Sequence, residues 1–275
     1  MTEAGNGVIL SAARLRKVYG ETVAVDDVSF DVGAAGSLAI VGESGSGKTT
    51  IARMLVGLTK PTAGTITACG RDRSTPARSA AERRRRGAEI QIVFQDPYAS
   101  LNPRQTAQQT LDEVLRLHGS GKTAEERRAR IAALGELVGL DERTVRSLPS
   151  ALSGGQRQRI AIARALAAEP RLIILDESVA ALDVSIQAQV LNLLADIREE
   201  TGVSYILISH DLAVVRQLTR QALVMHGGRV VERGPTEQIL DDPQDPYTQL
   251  LRASVPRRGW KPTRRQRATS TPGAP

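Results

Sequence analysis

The chain has 275 residues, 41% of them hydrophobic and 24% charged, with one cysteine and a net charge of +7. That is enough apolar material for one large domain or two small ones, but the longest unbroken apolar run is four residues, far short of the roughly 20 that a membrane-spanning helix needs. Six uncompensated positive charges, Arg257, Arg258, Lys261, Arg264, Arg265 and Arg267, lie in an end segment without acidic residues, so the body is nearly neutral and carries no charge signature of a nucleic-acid binder.

The lone Cys69 allows neither an internal disulfide nor a cysteine metal cluster, and reads as a buried or incidental thiol. Met1 to Gly7 is polar and glycine-rich, without the charged-then-apolar pattern of a signal peptide, so export is not expected.

In chain order, Val8 to Val32 together with Gly64 to Cys69 alternates as antiparallel strands do, which predicts a small sheet. Ser37 to Val41 is a short apolar run of the kind buried in a parallel sheet, and it leads into a glycine-rich loop followed by a helix over Lys48 to Leu58. The run Arg83 to Arg86, flanked by Glu82 and Glu89, reads as a solvated face. A second strand over Glu89 to Phe94 ends at Gln95. From Asn102 to Leu152 there is no convincing strand, and Ile131, Leu134 and Val138 share one face of a helix over Arg127 to Leu140; this stretch is expected to be an inserted helical subdomain, about residues 100–155.

Strands over Arg171 to Leu175, Val203 to Ile208 and Ala222 to Met225, with a helix over Ile186 to Arg198, complete a strand–helix alternation that calls for parallel crossovers. His118 and His226 read as surface residues. The last 20 residues, 256–275, read as a basic, disordered tail; contact with anionic lipid or nucleic acid is the alternative.

The loop Gly42-Glu43-Ser44-Gly45-Ser46-Gly47-Lys48-Thr49 fits the G-x-x-x-x-G-K-[ST] phosphate loop in its required strand–loop–helix setting. Its glycines let successive N–H groups turn inward around phosphates, Lys48 reaches the β- and γ-phosphates, and the Thr49 hydroxyl ligates Mg²⁺. Gly119-Ser-Gly-Lys-Thr123 looks similar, but Arg116 occupies the place of the first glycine and no strand precedes it; it reads as a helix-to-helix connection.

The strand that ends in Asp176 and Glu177 delivers two carboxylates to the edge where ligands bind in open parallel sheets. Asp176 would hold Mg²⁺, and Glu177 would orient and deprotonate an attacking water. Gln95 and His210 each follow an apolar strand; the glutamine amide can reach the metal or its water, and the imidazole can donate to a γ-phosphate. In Leu152-Ser153-Gly154-Gly155-Gln156-Arg-Gln-Arg159, two glycines beside a serine at a helix mouth can offer N–H groups and a hydroxyl to an anion.

With these motifs in this order, the chain resembles the ATP-binding subunits of ABC transporters over about residues 8 to 255. The resemblance implies a phosphate-loop, RecA-like α/β fold, with a mostly parallel sheet core, a small antiparallel β subdomain and an inserted helical one. It implies ATP and Mg²⁺ as ligands, an adenine stacked on Tyr19, nucleotide contacts extending to Thr50 and Asp183, and a role for Gln95 in transmitting movement to membrane partners. Two such domains would pair head to tail, so that Ser153 to Gln156 of one meets the ATP held by the other.

Phe94-Gln-Asp-Pro-Tyr-Ala-Ser-Leu-Asn-Pro-Arg104, Leu182-Asp-Val-Ser-Ile-Gln-Ala-Gln-Val190, Asp245-Pro-Tyr-Thr-Gln-Leu-Leu251 and Ser254-Val-Pro256 are similar to the ATPases of oligopeptide and dipeptide importers, most of all the F-type component. That component pairs with a non-identical ATPase at the cytoplasmic face of the membrane, with two permease subunits and, indirectly, an extracytoplasmic binding protein. No nucleic acid is expected as a partner. Nickel and glutathione uptake, or a soluble non-transport ABC ATPase, are the alternatives. Ser178 and Ala180 depart from the family's usual proline and serine, and the cysteine cluster of some relatives is absent from the sequence, which leaves no iron–sulfur role.

Overall fold

The computed structural model describes residues 7–96, 100–179 and 182–254. Strands β1 (Val8–Tyr19), β2 (Thr22–Gly33), β4 (Ala63–Ala68) and β5 (Arg71–Asp72) form an antiparallel sheet in the order β2-β1-β4-β5. The β1–β2 hairpin closes at Tyr19, which pairs with Thr22. This is the small sheet expected from the alternation of Val8 to Val32.

A second sheet has the order β10-β9-β3-β8-β7-β6, built from β3 (Ser37–Val41), β6 (Ile90–Val93), β7 (Leu172–Asp176), β8 (Ser204–Ser209), β9 (Gln221–His226) and β10 (Arg229–Pro235). Five of these strands run parallel to their neighbours, as expected. The sixth, β10, is an antiparallel edge strand paired to β9 through a hairpin at Gly227 and Gly228. Its residues are mostly half-buried or exposed, so no apolar run marks it in the sequence.

The parallel strands read as continuous apolar runs because both faces of the sheet are covered. Ala39 and Val41, Ile173 and Leu175, Tyr205 and Leu207 point into one core. Leu38 and Ile40, Leu172 and Ile174, Ile206 and Ile208 point into the other, shared with the antiparallel sheet. Helix α1 (Lys48–Leu55) lies on this second side. It stops three residues earlier than Leu58, since Gly57 takes a left-handed φ of +79°.

Helix α2 (Ala80–Glu89) carries Arg83 to Arg86 and buries none of its residues, although Arg86 is pinned to Glu82 and to the Thr75 carbonyl. Between β6 and β7, the described residues hold α3 (Ala107–His118), α4 (Ala124–Leu137), α5 (Glu142–Val145), a short 3₁₀ turn (Pro149–Ala151) and α6 (Gly154–Leu166), and no strand. Helix α4 starts at Ala124, ahead of Arg127, because Thr123 and Glu126 form a capping box. Gly119 ends α3 in a left-handed turn, so the second glycine–lysine segment joins two helices and follows no strand.

Helix α7 (Val184–Thr201) is longer at both ends than Ile186 to Arg198. Then come α8 (Leu212–Leu218), α9 (Thr236–Asp241) and α10 (Pro246–Ala253). The 256–275 tail, Ala180 and Pro97 to Ala99 lie outside the described residues, so the readings made for them have no structural counterpart here.

Candidate active site

Parallel strands present their C-terminal ends along one edge, and the loops that follow β3, β6, β7 and β8 therefore converge. Gly42 follows β3, Asp176 ends β7 and Glu177 follows it, His210 follows β8, and Gln95 comes two residues after β6. Gln95 is exposed at that edge.

Two glycines of the loop are demanded by close approach. A Cβ on Gly42 would stand 2.3 Å from the Met225 carbonyl oxygen, and one on Gly47 would stand 2.3 Å from that of Ala24. The loop is thus clamped between β9 and β2, which explains why the antiparallel sheet sits against it. Glu43, Ser44 and Gly45 are exposed along its rim, whereas Ser46 is buried.

Gly47 precedes α1 without a side-chain cap. The first intrahelical bond of this turn is donated by Ile51 to the Gly47 carbonyl, which leaves the N–H groups of Lys48, Thr49 and Thr50 as the orphan donors of the first turn. Such donors, at the positive end of the helix dipole, suit a phosphate.

Lys48 is only 5% exposed. Its Nζ donates to the Gly42 carbonyl at 2.8 Å, to the Glu43 carbonyl at 2.7 Å and, weakly, to Ser46 Oγ at 3.5 Å. Burial lowers its pKa, and Glu177, Asp176 and Glu43 oppose that shift. The ammonium is thus desolvated and aimed into the loop, where an anion would find it under-solvated.

Thr49 Oγ1 donates to Asp176 Oδ1 at 3.3 Å. Burial pushes the Asp176 carboxyl above its ordinary pKa; Glu177 adds to this, and the Thr49 hydroxyl, Lys48 and Arg53 oppose it. A hydroxyl and a strained carboxylate side by side form a hard-oxygen pair of the type Mg²⁺ takes together with phosphate oxygens and water. Among the described residues, no group of three or more His, Cys, Asp or Glu is arranged to hold a metal unaided.

Glu177 has a φ of +47°, unusual for a residue with a side chain. Its N–H donates to the Ile208 carbonyl at 2.9 Å, which ties the turn to the end of β8. His210 Nδ1 lies 3.4 Å from Glu177 Oε1. The chain therefore turns the Glu177 carboxylate toward His210, away from the strand line. Ser178, at the position of the family's proline, is buried and its hydroxyl has no partner among the described residues.

Ser153 is the N-cap of α6. Its Oγ accepts the Gln156 N–H at 3.2 Å, and Gln156 Oε1 accepts the Ser153 N–H at 2.9 Å. The capping box thus occupies the backbone N–H groups of Ser153 and Gln156, and leaves the donors expected to meet an anion, the N–H groups of Gly154 and Gly155 and the Ser153 hydroxyl proton, outside it. Gly155 is buried against α7: a Cβ there would stand 2.7 Å from Ile186 Cγ2. The arginines that follow serve the fold, since Arg157 donates to the Pro149 carbonyl and Arg159 to that of Val138.

No hydrogen bond among the described residues joins Ser153 to Gln156 with the phosphate loop. Asp183, the N-cap of α7, makes no side-chain cap bond, and its side chain is exposed next to Val184, which is 83% exposed. Tyr19 is 46% exposed, with Lys17 Nζ 4.7 Å from its ring centroid.

Of the two remaining histidines, His226 lies at the surface as expected and His118 does not. His118 is half-buried, burial lowers its pKa with Arg84 adding to the effect, and its Nδ1 has no partner among the described residues. His226 is exposed, but packs on the Tyr247 ring with centroids 4.0 Å apart. Tyr247 in turn reaches the phosphate loop, a contact that no spacing rule in the sequence announces.

The family description "ABC transporter" matches residues 25–180, and "Oligopeptide/dipeptide transporter, C-terminal region" matches residues 231–274. The chain is 49% identical over 236 residues to a putative peptide import ATP-binding protein of Brucella abortus, covering 85% of this chain and 70% of that one. It is 46% identical to the oligopeptide transport ATP-binding protein OppD of Mycobacterium bovis, over 88% of this chain and 39% of that one. With the glutathione import ATP-binding protein GsiA of Escherichia coli it shares 47% identity, over 90% of this chain and 39% of that one.

Among solved structures, the dimeric post-hydrolysis state of the ATP-binding cassette MJ0796 bound to ADP and Pi superimposes with a TM-score of 0.74 at 30% identity, covering 82% of this chain and 98% of that one. The structure of cbiO1 from Clostridium perfringens, part of the ABC transporter complex cbiONQ, gives 0.77 at 27% identity, over 86% and 92%.

Proposed function

Since the chain belongs to the ABC transporter ATP-binding family, we propose that it is the ATP-hydrolysing subunit of an importer for peptides. The observation that carries the chemistry is the convergence of the Thr49–Asp176 pair and the Glu177–His210 pair on the mouth of the Lys48 loop.

In this reading, Lys48 and the N–H groups of Lys48, Thr49 and Thr50 bind the phosphates of ATP, the substrate. Thr49 and Asp176 would hold Mg²⁺, with Gln95 able to reach it or its water; the chemistry it would supply there is neutralisation of charge on the phosphates. Glu177 orients the attacking water and takes its proton, and the imidazole of His210, which stands beside that carboxylate, donates to the γ-phosphate. Tyr19 offers its exposed ring to adenine.

Ser153 to Gln156 and Asp183 complete the site of a second ATPase subunit, paired head to tail. Two features support that arrangement: the Ser153–Gln156 cap makes no bond to its own loop, and the neighbouring Val184 is uncovered. The second ATPase is non-identical in an F-type component, and two permease subunits and an extracytoplasmic binding protein complete the assembly. No helix among the described residues is long and apolar enough to cross a membrane, so attachment at the cytoplasmic face would come through the permeases.

Peptides as the solute follow from the C-terminal region match and the peptide-import relatives. Glutathione is the second reading, favoured by the 47% identity to a glutathione import protein. The test is ATP hydrolysis and solute uptake by the assembled transporter. Lys48→Ala and Glu177→Gln should each abolish both, and wild-type hydrolysis in both variants would sink the assignment.

A further inference from the structure

Tyr247 lies on α10, 204 residues from the phosphate loop, and its hydroxyl accepts the Glu43 N–H at 3.0 Å. The same peptide group is held from its other side, because the Gly42 carbonyl accepts from Lys48 Nζ at 2.8 Å. The Gly42–Glu43 peptide is thus fixed with its carbonyl turned into the loop and its N–H turned out to the tyrosine.

The tyrosine is itself well supported. Its ring packs on His226, which ends the strand whose Met225 carbonyl crowds Gly42. Asp245 caps α10 by accepting the N–H groups of Tyr247 and Thr248 at 2.8 and 3.4 Å. The chain entering the helix is tied down by Glu232 of β10, whose carboxylate accepts from the N–H groups of Gln244 and Asp245 at 2.8 and 3.2 Å. Strand β9, strand β10 and α10 therefore form one bracket that begins and ends at the first peptide of the loop.

We propose that Tyr247 is a positioning residue for nucleotide binding. By fixing the orientation of the Gly42–Glu43 peptide, it sets the direction in which Lys48 is presented to phosphate, and it makes the C-terminal region a working part of the nucleotide site. Rotation of a peptide group exchanges its carbonyl and N–H. Without the hydroxyl, the Glu43 N–H keeps no acceptor among the described residues, and the carbonyl that orients Lys48 is free to turn away. The inference rests on the ATP site proposed above.

The test measures binding of the fluorescent nucleotide mant-ATP, and its displacement by ATP, on the full chain. Tyr247→Phe keeps the ring on His226 and removes only the acceptor; it should weaken binding about 2- to 10-fold. In the assembled transporter, the KM for ATP should rise by a similar factor, with kcat at saturating ATP within about twofold of wild type. His226→Ala keeps the hydroxyl but removes its brace, so a smaller weakening is expected. Leu250→Ser, at a position of the same helix that is 62% exposed, should bind as wild type does.

Wild-type affinity in Tyr247→Phe overturns the proposal, as does an equal loss in Leu250→Ser. Should Tyr247→Phe fail to fold, unchanged binding in His226→Ala overturns it as well. If the wild-type chain itself binds no mant-ATP, the ATP site fails first, a result distinct from any difference between variants.

Discussion

Thr49 Oγ1 donates to Asp176 Oδ1 across 3.3 Å and 127 residues of sequence. The contact joins the first turn of α1 to the end of β7, so the two oxygens proposed to hold Mg²⁺ stand together in the folded chain. Desolvation of Asp176 in that position keeps its charge poorly compensated, which is the condition under which a cation binds with most gain.

That strained carboxylate predicts a pH-dependent stability. Its pKa is raised from about 3.8 by burial, even with the Lys48 attraction counted, so the native chain takes up this proton more readily than the unfolded chain. The resulting stability is present below the unfolded carboxylate's pKa and is lost as pH rises through the folded value; at neutral pH the ionised group weighs against the fold. Asp176→Asn should therefore raise the melting midpoint at pH 7 by on the order of 2 °C. The advantage should narrow as the pH falls below the raised pKa toward 4, as thermal denaturation without nucleotide would show, and hydrolysis should be lost at every pH. A variant that melts below wild type at pH 7 contradicts the account.

Glu177→Gln should slow hydrolysis by about 10² to 10⁴, with ATP affinity preserved, because the side chain faces His210 and its proposed partner is the attacking water, with the phosphates left to the loop. Lys48→Ala should instead weaken binding itself. Nucleotide affinity measured beside turnover separates the two, and identical profiles would remove the distinction drawn between base and phosphate clamp.

Gly155 is required by packing. In Gly155→Ala the new Cβ meets Ile186 Cγ2 at 2.7 Å, on a branched side chain with little freedom to retreat. An overpacking cost of about 1–3 kcal/mol is expected. Ile186→Ala removes the clashing methyl, so the double variant should lose less stability than the two single losses added together. Additive losses in chemical denaturation would show that the clash relaxes elsewhere.

Ser153→Arg should spare ATP binding at this chain's own loop and impair hydrolysis at the site whose loop belongs to the partner subunit. The substitution also removes an N-cap, which costs about 1 kcal/mol. Ser153→Asp keeps the cap acceptor and adds a charge opposed to phosphate, so it should reproduce the loss with normal stability. Abolished binding at the chain's own loop would contradict the head-to-tail site.

The motifs that carry chemistry were legible because their constraints are local. A phosphate loop needs a strand before it, glycines within it and a helix after it, and all three lie within the stretch Ser37 to Leu55. The parallel core was legible for a similar reason: a strand buried on both faces, such as Ile173 to Leu175 between its two cores, has no polar position. Strand β10 and helix α2 escaped because neither buries a continuous apolar face. The meaning of Ser153 and Gly155 was only half legible. Their spacing marked a helix start, and the Ser153–Gln156 capping box is local to it, but the Ile186 contact depends on what packs against that helix.

By itself, the amino-acid sequence determined the family, the kind of ligand and the residue types that would meet it, since those follow from short spacings that any fold of this class must satisfy. Tertiary structure alone decided which of those groups are strained, paired or held from behind. The φ of +47° at Glu177, the raised Asp176 carboxyl and the Tyr247 hydroxyl on the Glu43 N–H arise from burial and from contacts between segments dozens to hundreds of residues apart. Local pattern carries no information about such contacts, because the closing of the sheet and the return of the C-terminal helix, not the spacing of residues along the chain, bring those atoms within reach.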